Sequence, residues 1–150
     1  MKCILHIGTE KTGTTTIQKF LRINKEPLAS FGYLYTTSLG QENNYKLPLS
    51  VYNTDRRDDL TTKDNIFTDN ELIAYQKHTI DLLKKELTYL NPKDKTTIFS
   101  SEHIQSRLTS FEELSRLKAV LNNLGYNDIT ILIYLRRPGD VANSLYSTAI

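Results

Sequence analysis

Apolar residues along this chain follow two spacings that alternate. Cys3, Ile4, Leu5 and Ile7 form a short run of strand type that enters a polar stretch at Gly8. Ile17, Phe20 and Leu21 then share one helical face, which predicts a helix over residues 14–25, ended by Pro27. Residues 31–35 read as a turn and a short extended segment, residues 36–44 as polar loop, and residues 45–52 as a short helix around Pro48. Residues 53–68 hold Asp55, Arg56, Arg57, Asp58, Asp59, Lys63 and Asp64 with few apolar positions, the pattern of an exposed, mobile loop.

Helical spacing returns at Leu72, Ile73, Gln76, Ile80, Leu83, Leu87 and Leu90. This predicts a long amphipathic helix, capped by Asp69 and stopped by Pro92, with Lys77, His78, Lys84, Lys85 and Glu86 on its outer side. Residues 96–101 are β-rich and predict a strand ending at Glu102 and His103. Ser110 and Glu113 have the spacing of a capping box; Leu114, Leu117, Leu121 and Leu124 supply the stripe behind it, and Gly125 ends the helix. Residues 129–135 are apolar on both faces, as in a central parallel strand covered from both sides. Pro138 stands where a last helix would begin.

The order β-α-loop-α-β-α-β-α predicts an α/β fold: a three-layer open parallel sheet with helices on both faces. Ligands of such sheets lie beyond the carboxyl ends of the strands. That rule puts Gly8 to Thr16, Glu102 with His103, and Arg136 with Arg137 on one rim.

The first of these segments carries the densest chemistry. Gly8-Thr9-Glu10-Lys11-Thr12-Gly13-Thr14-Thr15-Thr16 joins a strand to a helix and combines two glycines, a lysine and four threonines after it. Backbone N–H groups at a helix N-terminus, threonine hydroxyls and a lysine together suit a phosphate-like anion. Gly8 and Gly13 have the separation of a Walker loop, G-x-x-x-x-G-K-[ST], but Thr14 stands where that loop has lysine. The cation is Lys11, inside the loop, which suits one terminal anionic group with the ammonium beside it.

Composition narrows the classes further. The 150 residues carry 19 Lys and Arg against 17 Asp and Glu, a net charge of +2 that gives no reason to expect nucleic acid. Cys3 is the one cysteine, read as core packing; it excludes an internal disulfide and points to a reducing, cytoplasmic compartment. No apolar run reaches the ~18 residues of a membrane helix. His6, His78 and His103 lack ligand spacing, so no metal is expected.

Lys11-Thr12-Gly13-Thr14-Thr15 resembles the 5′-phosphosulfate loop of the sulfotransferases that use PAPS (3′-phosphoadenylyl sulfate), and is most similar to bacterial members. Arg136-Arg137-Pro138, with Ser144 eight residues after Arg136, resembles the same family's 3′-phosphate motif. The resemblance implies a P-loop NTPase-like fold and transfer of a sulfuryl group from PAPS to a hydroxyl or amine, without a metal. It implies that Lys11 stabilises the leaving phosphate, that Thr12, Gly13, Thr14, Thr15 and Thr16 hold the 5′-phosphate and sulfonate, and that Arg136 and Ser144 hold the 3′-phosphate. Family members draw their base from the strand tip, so Glu102 is expected in that role, with His103 as the alternative. Small phenol or alcohol, lipid and carbohydrate acceptors all stay open. Complete enzymes of that family continue well beyond Ile150, so the chain reads as one domain, 1–150, cut short at its C-terminus, with an open sheet edge that a homodimer would cover. Two other readings are an atypical P-loop nucleotide kinase and a non-catalytic PAP-binding fragment.

Overall fold

The computed structural model describes residues 1–149, with side chains through Ser147. In chain order the elements are β1 (Lys2–His6), α1 (Thr14–Ile23), α2 (Lys25–Ser30), β2 (Tyr33–Tyr35), α3 (Lys46–Leu49) and α4 (Asp59–Lys63). They continue with α5 (Asp69–Leu90), β3 (Thr96–Ser100), α6 (His103–Arg107), α7 (Phe111–Asn123), β4 (Asp128–Leu132) and α8 (Pro138–Ala149). The four strands form one all-parallel sheet in the order β2-β3-β1-β4, with Lys2 opposite both Thr96 and Asp128. The α/β class and the parallel sheet expected from the alternating pattern are both present.

Parallel in-register pairing sends partner residues to the same face. Cys3 and Leu5 stand beside Thr97 and Phe99 and are buried with them against Leu83, Leu87, Leu117, Leu121 and Tyr126. The Phe99 and Tyr126 rings meet edge to face at 5.5 Å, and the Tyr126 hydroxyl donates to Thr97 Oγ1 at 2.7 Å, which satisfies both polar groups inside the core. Burial pushes the Cys3 thiol up to about 11, with Asp128 acting in the same direction, so this cysteine is an unreactive core residue.

Several elements differ from the sequence expectation, each for a local reason. The first helix stops at Ile23, and a second begins at Lys25 with Pro27 inside its first turn, where a missing N–H costs nothing. The helix from Asp69 is capped by Thr68, one residue earlier, in a reciprocal box with Glu71. Residues 53–68 are no mobile loop. Asp58 caps α4 in a box with Thr61, and Leu60 and Ile66 are buried in the core.

Arg56, read as a solvated charge, donates instead to Glu113, whose carboxylate is 1% exposed. Burial opposes that charge, but N–H groups of Asn53 and Thr109 together with Arg56 outweigh it and hold the carboxyl below its ordinary value.

The largest difference is at β4. Its apolar run was expected to be covered on both faces, yet Ile131 is 54% and Leu135 80% exposed. β4 pairs with β1 alone, and among the described residues no strand lies beyond it. Only Ile129 at its start packs against the core.

Candidate functional site

The chain leaves β1 without leaving the sheet at once. Ile7 N–H donates to Leu132 O at 3.0 Å, Tyr134 N–H to Gly8 O at 2.7 Å, and Thr9 N–H to Tyr134 O at 3.0 Å. This pairing runs past the end of β4 and draws residues 134–136 along the loop. Arg136 then donates from Nη1 to Lys11 O at 3.1 Å, across 125 positions of sequence.

The loop needs its two glycines for different reasons. Gly8 has φ +105, and a Cβ there would lie 3.0 Å from the Glu102 Cβ, so only glycine lets the β1 loop pass against the start of α6. Gly13, at φ +86, is the residue that caps α1, and no side chain accepts from the first turn of that helix. Lys11 itself has φ +61, a left-handed conformation uncommon for lysine.

A cavity of about 550 Å³ opens at this rim. It is lined by Lys11, Gly13, Thr14 and Thr15 of the loop and the start of α1, by Glu102 and His103 at the start of α6, and by Arg136 and Ser144. These eight residues, expected on sequence grounds to act together, are therefore neighbours in space. Thr12 and Thr16 do not line the cavity, and the Thr12 hydroxyl turns back to Thr9 O at 2.6 Å. Glu10 and Arg107 also line it and were not anticipated. Larger hollows of about 630 and 650 Å³ lie elsewhere; the first sits at the amino ends of the strands, around Met1, Lys2 and Asp128, away from this chemistry.

Glu102 does not end the strand, as expected, but caps α6 two residues beyond β3. Its position is fixed from two sides: Gly8 passes against its Cβ, and the buried Gln18 amide donates from Nε2 to Oε2 at 2.7 Å. Oε1 has no hydrogen-bond partner among the described residues. Beneath it, His6 is 1% exposed and pairs through Nδ1 with Ser100 Oγ at 2.7 Å. Burial lowers the His6 pKa, against a weaker opposing pull from Glu102, and so keeps the ring neutral.

Two signals pointed at the residues that were missed. Gln18 lies four positions after Thr14, on the buried stripe of α1. Arg107 lies four positions after His103, on the same side of α6.

The fold and this rim define a parallel α/β protein with a polar cavity, rich in cations and hydroxyls, at the carboxyl ends of its strands. The chain belongs to the family described as protein of unknown function (DUF2738), whose model matches residues 4–137. That corrects the family expected from the Lys11 to Thr15 segment and from Arg136 with Ser144: the matching family is not the PAPS sulfotransferases. A five-residue motif is short enough to be shared by chains of separate families. No curated protein and no solved structure matches the chain.

Proposed function

We propose that the cavity binds a nucleotide bearing separate 5′ and 3′ anionic groups, and that the protein transfers the sulfuryl group of PAPS to an acceptor hydroxyl or amine. The observation behind this reading is the Arg136 to Lys11 bond at 3.1 Å, which joins two cation-bearing segments from opposite ends of the chain in one cavity. The strand order β2-β3-β1-β4, with the anion loop at the tip of β1, supports a P-loop-like, three-layer arrangement of the same parts.

In this reading the first-turn amides of α1 and the hydroxyls of Thr14 and Thr15 hold the 5′-phosphate and sulfonate. Arg136, with its planar fork of donors, and Ser144 hold the 3′-phosphate. Glu102 takes the acceptor proton through Oε1, the acceptor oxygen or nitrogen forms its bond to sulfur, and the bond from sulfur to the 5′-phosphate oxygen breaks. PAP leaves with the electron pair, and the Lys11 ammonium stabilises the charge on the departing oxygen. His103, beside Glu102, is the other candidate for the proton. The scheme uses no metal. No helix among the described residues is long and apolar enough to cross a membrane. The single buried thiol supports a reducing, cytoplasmic compartment.

The test is turnover of PAPS to PAP with a panel of phenol, carbohydrate and lipid acceptors, comparing wild type with Lys11→Ala and Glu102→Gln. Acceptor-dependent PAP release that both variants lose supports the reading. PAP release that persists in both refutes it.

A further inference from the structure

Arg107 is the cation of this cavity that donor binding leaves unused. The donor, as proposed above, occupies the Lys11 loop and the Arg136 and Ser144 side, across β1 towards β4. The acceptor must bring its hydroxyl to Glu102 or His103, both at the start of α6 and next to β3. The wall left for the rest of the acceptor contains Arg107, one helical turn beyond His103.

The state of that guanidinium is informative. Asp59, at the start of α4, reaches it through a single nitrogen, Nη2, with both carboxylate oxygens at 3.1 Å. Asp59 is 63% exposed on its side chain, a partner that water screens. Arg107 Nε is buried without a hydrogen-bond partner, and so is His103 Nδ1 on the same helix. Those two atoms are closed to a ligand, but Arg107 lines the cavity with its side chain 32% exposed, so a guanidinium whose carboxylate partner is screened by water favours an occupant that supplies acceptor oxygens. Among the described residues the cavity also has no aliphatic or aromatic wall for a phenol or an acyl chain. Apart from His103, its lining is charged residues, glycine and hydroxyls.

We propose that the acceptor is itself an anion: a polar molecule, such as an acidic sugar, with a carboxylate or sulfate about one helical turn from the hydroxyl that reacts. Arg107 grips that anion, which displaces or shares Asp59. This rests on the donor reading above, and it narrows the acceptor to a chemical class that the sequence left open. An arginine in this role matches a carboxylate or sulfate with two parallel N–H groups, which lysine cannot do.

The test is a calorimetric titration of the full chain, first with PAP, then with methyl glucuronide or methyl glucoside added to the PAP-saturated protein. Wild type should bind the glucuronide at least tenfold more tightly than the glucoside. Arg107→Gln should lose that preference while PAP affinity stays within twofold, and Asp59→Asn should strengthen glucuronide binding. Circular dichroism checks that each variant is folded. Arg107→Lys serves as a second variant and should recover only part of the preference. The proposal is overturned if the PAP complex binds neither sugar, binds both equally, or keeps its preference in Arg107→Gln. If PAP itself fails to bind, the donor reading falls, and this proposal falls with it by a separate and recognisable route.

Discussion

β3 and β4 stand on either side of β1 in the same parallel register, yet they have different surroundings. β3 carries Thr96-Thr97-Ile98-Phe99-Ser100, the less apolar of the two sequences, and Phe99 is fully buried. β4 and its continuation hold more aliphatic residues, and Ile131 to Leu135 are exposed. Burial therefore follows from what packs on a strand, here α5 and α7 around Phe99, and not from how apolar the strand is. The cavity inherits this contrast. On the β3 side Glu102 is held by Gly8 and Gln18, whereas on the β4 side Arg136 reaches the loop from an exposed segment.

Substitutions on the two sides should separate accordingly. Phe99→Ala should cost about 3–5 kcal/mol in denaturant unfolding, because it empties a packed site that cannot collapse. Lys11→Ala should lower PAPS turnover by about 10²–10³-fold without changing the unfolding midpoint, as expected for one charge placed on a leaving group. Arg136→Ala should weaken PAP binding by about tenfold or more, read by calorimetry, with little effect on stability. Unchanged PAP affinity there would remove Arg136 from the site.

The acid limb of stability tests the buried carboxylate of α7 that holds Arg56. Glu113 is buried with its carboxyl held below the ordinary value, despite the opposing effect of burial. A depressed folded-state value means that its contribution is complete above the unfolded carboxyl range and is lost as pH falls through the folded one, at no more than about 1.4 kcal/mol per pH unit. Glu113→Gln should therefore flatten the fall in stability below about pH 4.5. The smallest effect belongs to β4: Ile131→Ala should cost under about 1 kcal/mol, since the side chain is already half in water. A cost as large as that of Phe99→Ala would mean that β4 is covered in solution.

Legibility from sequence divides along physical lines. The loop between β1 and α1 was readable because its determinants are local: Gly8, Lys11 and Gly13 within six positions, between a strand and a helix. The parallel sheet was readable from the alternation of periods. α6 was not, because five residues with one buried apolar side chain, Ile104, give no period to detect, and with it went the placement of Arg107. α4 escaped because its cap is Asp58 with Thr61 rather than the Ser-x-x-Glu form, and its charges suggested open solvent. For β4, the apolar run 129–135 is strand only as far as Leu132, and a pattern records what a strand is suited to contact and not what is there. The family could not be read from two short motifs, which are too short to carry ancestry.

The central claim is that one cavity, built from the Lys11 loop and Arg136, recognises a nucleotide by two separate anionic groups. Calorimetric titration of wild-type protein with PAP, with 5′-AMP and with ATP–Mg²⁺ tests it most directly. The account predicts that PAP binds at least tenfold more tightly than 5′-AMP, without metal, and that Arg136→Ala erases the difference. Tight binding of ATP–Mg²⁺ with no binding of PAP would contradict it.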